Sequence, residues 1–156
     1  MKILFICTHN RCRSILAEAI TCHLGKGILH VASAGSAAEG VIHPETLTAL
    51  ERAGVPVDGL HSKSLDEVKL FNPDVVITVC DSAANEACPL WLGAALKVHW
   101  GLPDPSRHQG SSQEREQAFD QITALLTSRI SRLMAELSNT SPPGDMAALL
   151  NALAAS

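Results

Sequence analysis

The sequence predicts an α/β fold, a four-stranded parallel sheet with helices on both faces. Four short apolar runs have the length of buried strands: residues 2–6, 28–32, 74–79 and 95–100. Segments with apolar residues at helical spacing separate these runs. Strands that alternate with helices form parallel sheets with right-handed crossovers, so this order predicts the fold class.

Residues typical of helix ends mark the segments between the strands. We expect the Ser14 hydroxyl to cap the first helix and Gly25 or Gly27 to end it. Similar signals follow in chain order: Pro44 in a first turn, Gly54 after an end, and the capping boxes Ser64 with Glu67 and Ser111 with Glu114.

The 156 residues are enough for one domain with its own core. We place that domain at residues 1–138. Residues 139–156 then form a linker and a tail, because an Asn-Thr-Ser-Pro-Pro-Gly run is typical of a linker. The apolar end of the tail either forms a short helix or remains mobile.

Charge and composition argue against several classes of protein. A net charge of −4 and 3% aromatic residues argue against a general nucleic-acid-binding or membrane-surface protein. Since no apolar run approaches the length of a membrane span, we expect a soluble, cytoplasmic protein. Five cysteines, with no secretory signal and no C-x-x-C pair, suit a reducing compartment. We expect neither a structural metal nor a tightly bound cofactor.

The sequence Cys-Thr-His-Asn-Arg-Cys-Arg-Ser at residues 7–14, hereafter the oxyanion loop, joins the first strand to the first helix. Backbone N–H groups of a loop that ends at a helix N-terminus bind tetrahedral oxyanions. Those dipoles and Arg13 would also favour the thiolate form of Cys7, a nucleophile. The alternative is a buried, inert Cys7 beside a solvent-exposed Arg13.

Two cysteines and an aspartate follow later strands. Cys80 comes at the end of the third predicted strand, Cys88 lies eight residues further on, and Asp104 follows the fourth strand. Ligands of parallel sheets bind at the carboxyl ends of the strands. We therefore expect Cys80 and Asp104 at the same sheet edge as the oxyanion loop.

Several of these motifs together resemble a known family. The oxyanion loop, Ser33-Ala34-Gly35 and Asp104-Pro105 resemble the low-molecular-weight protein tyrosine phosphatases over roughly residues 1–137. Within that fold, Cys80, Cys88 and the motif at residues 99–101 resemble the thiol-dependent arsenate reductases. The resemblance implies an enzyme of arsenic detoxification whose ligands are arsenate, phosphate or sulfate and whose reductant is thioredoxin or a similar dithiol protein.

The chemistry implied by the resemblance assigns a role to each thiol. Cys7 attacks arsenate, Arg13 holds its oxygens, and Asp104 protonates the departing oxygen. Cys80 then attacks Cys7, and Cys88 attacks Cys80. The predicted oxyanion-binding residues are those of the loop: Thr8, His9, Asn10, Arg11, Cys12, Arg13 and Ser14.

Four residues are predicted to support the loop: Asn10, Ser14, Ser33 and Lys63. The resemblance implies that Asn10 has an unusual backbone conformation held by serine hydroxyls, which suits asparagine's tolerance of positive φ. Some arsenate reductases also bind potassium near this asparagine. Here we expect Lys63 to supply that charge instead.

Three other readings of the sequence stay open. A phosphatase would use Cys7, Arg13 and Asp104 alone, although Ser106 stands where an aromatic residue is expected. A non-enzymatic oxyanion or metalloid sensor would need the loop without turnover. A zinc site formed by Cys80, Cys88 and His99 is the weakest alternative, since the spacing is not typical of zinc ligands.

Overall fold

The structure, a computed structural model, describes residues 1–86, 89–139 and 145–156. Strands and helices alternate along most of the chain, as the sequence predicts. In order they are β1 Lys2–Cys7, α1 Arg13–Leu24, β2 His30–Gly35, α2 Pro44–Arg52, β3 Val75–Thr78, α3 Asp81–Asn85, β4 Leu96–His99, α4 Ser112–Leu137 and α5 Met146–Ala154. Short 3-10 turns occur at Asp66–Val68, Leu90–Leu92 and Pro105–Arg107.

The four strands form one parallel sheet in the order β2-β1-β3-β4. The central strand β1 is buried throughout its middle, with Ile3, Leu4 and Phe5 each 0% exposed. Successive side chains of a strand point to opposite faces. Burial of all three therefore means that helices cover both faces of the sheet, which confirms the predicted fold class.

Strand β2 is displaced from its predicted position. It begins at His30 rather than residue 28, and Ser33, Ala34 and Gly35 belong to the strand rather than to a turn. Ile28, predicted to start the strand, is 45% exposed. The end of β2 consists of small residues, which do not form the bulky apolar run that is typical of a buried strand. A Cβ at Gly35 would lie 2.6 Å from the carbonyl oxygen of Thr8, so the close approach of the loop excludes larger side chains there.

Two helix starts also differ from prediction. Cys12, not Ser14, is the N-cap residue of α1, and it makes no side-chain capping bond. Ser14 does not cap because its hydroxyl is used inside the loop. The Ser64 box gives only a 3-10 turn, in which Glu67 accepts the Ser64 N–H at 2.6 Å.

The apolar end of the tail forms helix α5, which packs against β4 and α4. Leu150 and Leu153 are its buried residues, and the Trp100 indole donates to the Leu150 carbonyl at 2.9 Å. The Arg129 guanidinium lies 5.6 Å from the Trp100 ring and donates to the Ala154 carbonyl. Within the described ranges, no helix is both long enough and apolar enough to cross a bilayer.

Candidate active site

The oxyanion loop turns sharply at Asn10, whose φ is +50°. This left-handed conformation is uncommon for residues other than glycine, and asparagine is among those that tolerate it best. Asn10 is 0% exposed, so its side-chain amide needs partners within the protein. The loop conformation therefore depends on what the amide contacts.

The Asn10 amide connects three segments of the chain. Its Nδ2 donates to the hydroxyls of Ser14 at 2.7 Å and Ser33 at 3.0 Å, and its Oδ1 accepts the Lys63 N–H at 2.7 Å. The backbone conformation and serine contacts expected for Asn10 are thus both present. These bonds hold the loop against α1, β2 and the segment that follows α2.

A partly buried ion pair extends this network. The Ser33 hydroxyl donates to Glu18 Oε2 at 2.7 Å, and Lys63 Nζ lies 3.4 Å from the same oxygen. The Lys63 ammonium also donates to the His61 carbonyl at 2.8 Å. Sequence reasoning missed Glu18. The available signal was that Glu18 is the sole acidic residue in the otherwise largely apolar α1.

Cys7 ends β1 and is 4% exposed. Its sulfur lies 2.8 Å from the Ser14 hydroxyl oxygen. Because that oxygen accepts a hydrogen from Asn10, the hydroxyl hydrogen of Ser14 remains available to the sulfur. A thiolate can accept such a bond, so Ser14 links the asparagine network to the nucleophile.

Arg13 and Asp104 face each other at the carboxyl edge of the sheet. Arg13 donates to the Leu102 carbonyl at 3.0 Å and lies 3.5 Å from Asp104 Oδ2. The other oxygen of Asp104 accepts the Ser106 N–H at 3.0 Å and the Ser106 hydroxyl at 2.6 Å. Arg107 Nε also lies 3.5 Å from Asp104 Oδ2. Asp104 therefore has a fixed orientation beside the loop arginine.

A cavity of about 360 Å³, hereafter the main cavity, opens in front of Cys7. Among the described residues, three arginines and two carboxylates contribute to its wall, and no aromatic Phe or Trp side chain does. This lining favours a small anion rather than an aromatic ester. The wall residues are Cys7, His9, Arg11, Cys12, Arg13, Glu39, His43, Asp104, Ser106 and Arg107.

The second thiol lies next to the loop. Cys80 is 3% exposed, and its sulfur is 3.6 Å from the Thr8 hydroxyl and accepts the Ala83 N–H at 3.4 Å. Thr8 therefore contacts Cys80, while His9 and Arg11 line the main cavity. A cavity of about 230 Å³ touches Cys80 and shares Arg13 and other wall residues with the main one.

Cys88 lies outside the described residues, and so does part of the alternative zinc site. Within the described residues, no three His, Cys, Asp or Glu side chains are grouped to hold a metal. His99 instead contacts Asp81, with 3.0 Å between Nε2 and Oδ1. The described residues of this alternative are thus arranged for other contacts.

Cys12 lies in the cavity wall but has a different environment from Cys7. It is 6% exposed, and the Thr46 hydroxyl donates to its sulfur at 3.3 Å. Burial raises the pKa of the Cys12 thiol above its ordinary value. Cys12 therefore remains a neutral thiol near pH 7 and is a poor nucleophile.

The fold and this edge define a class: a parallel α/β protein with a loop thiol, an arginine and an aspartate arranged for a tetrahedral oxyanion. Residues 2–142 match the family described as low molecular weight phosphotyrosine protein phosphatase. The chain belongs to that family. Helix α5 lies beyond the matched residues.

Several similar proteins with known names are arsenate reductases, and solved tyrosine phosphatases share the fold. The arsenate reductase of Bacillus licheniformis is 36% identical over 131 residues, which are 83% of this chain and 92% of the relative. A solved arsenate reductase in the phosphate binding state has a TM-score of 0.71 and 27% identity, with 88% of this chain and 98% of that one covered. The thioredoxin-dependent arsenate reductase of Corynebacterium glutamicum has a TM-score of 0.60 and 29% identity, covering 85% of this chain and 62% of that one.

Proposed function

We propose that this protein is an arsenate reductase that uses Cys7, Cys80 and Cys88 in turn and is recycled by an external dithiol. The observation that carries the proposal is the second buried thiol, since Cys80 Sγ lies 3.6 Å from the Thr8 hydroxyl of the oxyanion loop. Phosphate ester hydrolysis needs no thiol there. The names of the relatives support the same activity.

In the first step, Cys7 attacks arsenate bound in the oxyanion loop. A sulfur–arsenic bond forms and one arsenic–oxygen bond breaks, and arsenic remains As(V). The departing oxygen takes a proton from Asp104 and leaves as water. Arg13 and the N–H groups at the start of α1 bind the oxygens that remain.

In the second step, Cys80 attacks the sulfur of Cys7. A Cys7–Cys80 disulfide forms while the sulfur–arsenic bond breaks, and its electron pair stays on arsenic. Arsenic is thereby reduced from As(V) to As(III) as the two thiols are oxidised. Arsenite then leaves the loop.

In the third step, Cys88 attacks Cys80, which releases Cys7 and leaves a Cys80–Cys88 disulfide. A dithiol protein of the thioredoxin type reduces this disulfide by thiol–disulfide exchange. The solved thioredoxin-dependent relative supports this donor. We expect the cycle to run in the cytoplasm, where such donors keep thiols reduced.

Phosphate and sulfate are expected to compete with arsenate, because they share its tetrahedral shape and charge. We also propose that Lys63, rather than potassium, supplies the positive charge beside Asn10. The support is the Lys63 ammonium, 3.4 Å from Glu18 and bonded to the His61 carbonyl.

The decisive experiment is a coupled assay with thioredoxin, thioredoxin reductase and NADPH. Wild-type protein should consume NADPH when arsenate is present and not in its absence. Cys80→Ser should consume no NADPH in either case. In Cys88→Ser, mass spectrometry after one turnover should find a Cys7–Cys80 disulfide. Steady hydrolysis of an aryl phosphate without arsenate reduction would identify a phosphatase, and arsenate binding without turnover would identify a sensor.

A further inference from the structure

A hydrogen-bonded chain of three side chains lies beside Cys80, and the proposed mechanism does not use it. The Thr78 hydroxyl is 2.8 Å from His99 Nδ1, and His99 Nε2 is 3.0 Å from Asp81 Oδ1. This chain, hereafter the Thr78–His99–Asp81 chain, joins the ends of β3 and β4 to the first residue of α3.

The contact between His99 and Asp81 matters because Asp81 is the residue next to Cys80. Asp81 directly follows Cys80 and starts α3, which has five residues and one buried side chain, that of Ala83. So short a helix gains little stability from its own hydrogen bonds or from apolar packing. The polar contact to His99 is therefore one of the attachments of this segment, together with the contact between the Glu86 carboxylate and the Thr8 hydroxyl at 3.5 Å.

Gly101 provides the space that the contact needs. A Cβ at this position would lie 3.0 Å from His99 Nε2 and 3.5 Å from Asp81 Oδ1. The next residue, Leu102, accepts a hydrogen bond from Arg13 at 3.0 Å. The backbone after β4 thus contacts both the Asp81 side of Cys80 and the arginine of the oxyanion loop.

We infer that His99 is a positioning residue for the attack of Cys80 on Cys7. By holding Asp81 at the end of β4, it fixes the direction from which the Cys80 sulfur meets the loop. In the step it serves, the sulfur–sulfur bond forms as the sulfur–arsenic bond breaks and its electron pair stays on arsenic. The inference rests on the proposed function for this step. Oxyanion binding is a property of the oxyanion loop and should not depend on His99.

The test separates binding from disulfide formation in a single turnover without thioredoxin. In His99→Ala, made in the Cys88→Ser background that traps the Cys7–Cys80 disulfide, formation of that disulfide should slow by about ten- to a hundredfold relative to Cys88→Ser alone, the cost of a misplaced nucleophile. Phosphate affinity should stay within about twofold of wild type, because His99 does not line the main cavity. His99→Gln should recover most of the rate, because its side-chain amide still donates to Asp81.

Three further variants test whether loss of the His99–Asp81 contact is what slows disulfide formation. Asp81→Ala should match His99→Ala, and the double variant should be no slower than either single one. Gly101→Ala should produce a smaller defect of the same kind, since its Cβ would lie 3.0 Å from His99 Nε2 and push the ring by a few tenths of an ångström. His108→Ala is the matched control, because His108 also faces a carboxylate, with Nε2 3.9 Å from Glu114 Oε2, and neither residue lines the cavity that touches Cys80.

A second readout does not depend on arsenate. In the resting protein, amide hydrogen exchange at residues 81–85 should quicken in His99→Ala and not in His108→Ala. If wild-type protein fails to reduce arsenate while this difference persists, the proposed function is wrong and the attachment is retained. Unchanged exchange, an unchanged rate of disulfide formation, or an equal loss of phosphate affinity would each overturn the inference.

Discussion

The two buried thiols of this protein have different surroundings. Cys7 and Cys80 are 4% and 3% exposed. Cys7 precedes the twelve-residue α1 and belongs to a network of fully buried side chains, Asn10, Ser14 and Ser33. Cys80 precedes the five-residue α3. The first residue of that helix, Asp81, contacts His99 at the end of β4, and the side chains of His99 and Asp81 are 39% and 89% exposed. The loop around Cys7 is held by buried contacts, whereas the segment that follows Cys80 is held in part by contacts that solvent reaches.

The difference matches the two tasks in the proposed reaction. A loop that stabilises a tetrahedral anion works best when its donors are already in place, because no reorganisation is then needed. A thiol that bonds first to Cys7 and then to Cys88 must change its neighbours. Few and exposed contacts lower the cost of such a change.

The largest predicted effects come from removing either thiol. Cys7→Ser and Cys80→Ser should each lower arsenate reduction by roughly a thousandfold or more, because each removes a nucleophile. Cys80→Ser should keep its phosphate affinity within about twofold, as measured by calorimetry, since the loop is intact. Loss of phosphate binding in Cys80→Ser would mean that the structure of the oxyanion loop depends on Cys80.

The second prediction tests the buried network through stability. Asn10→Ala should lower the free energy of unfolding by about 2 to 4 kcal/mol, because it leaves buried partners without hydrogen bonds. Asn72→Ala is the matched control, since Asn72 also has a positive φ, +54°, but is exposed. Asn72→Ala should lower the free energy of unfolding by about 1 kcal/mol or less. Urea unfolding measures both, and equal losses would show that backbone conformation alone is responsible.

The third prediction concerns the cation beside Asn10. Lys63→Met should lower the free energy of unfolding by about 1 to 2 kcal/mol, because Glu18 loses its charged donor. Wild-type arsenate reduction should be equal in potassium and sodium chloride, whereas potassium should restore part of the activity of Lys63→Met. Lys69→Met, at an exposed lysine, is the control. Clear potassium activation of wild-type protein would contradict the role of Lys63.

The smallest effect is expected at Cys12. Cys12→Ala should keep activity within about threefold, because a neutral thiol takes no step in the reaction. Burial raises the pKa of Cys12 above 9.0, so above about that pH the unfolded chain releases a proton that the folded chain retains. Wild-type stability should therefore fall with rising pH in that range, and less steeply in Cys12→Ala. Urea unfolding between pH 7 and 10 measures this, and parallel pH profiles would be evidence against it.

Much of the fold was predictable because apolar runs identify buried strands. Residues 2–6 and 74–79 lie in or beside central strands, where both faces are covered and nearly every side chain is apolar. The sheet edge then follows from topology, which places Cys7, Cys80 and Asp104 together. The roles assigned to these residues stay predictions.

The supporting residues were harder to predict, because polar side chains give no periodic signal. The small residues at the end of β2 resemble a turn in sequence, yet they lie in a strand that meets the loop. Ser14 has the residue type of a helix cap, but its hydroxyl serves Asn10 and Cys7. Glu18 stands out in the sequence only as the sole acidic residue of α1, and its contacts with Ser33 and Lys63 exist only in the folded chain.

The contact between Trp100 and α5 provides an optical reporter. The chain has two tryptophans, and Trp100 is fully buried against Phe5, Arg129 and the tail helix. Trp91 is partly buried and stands three residues after Cys88. Trp100 should therefore give a steady emission while α5 stays packed, and fluorescence changes on oxidation should come from Trp91. The redox state of Cys80 and Cys88 should then be measurable in real time from Trp91 fluorescence, without a label.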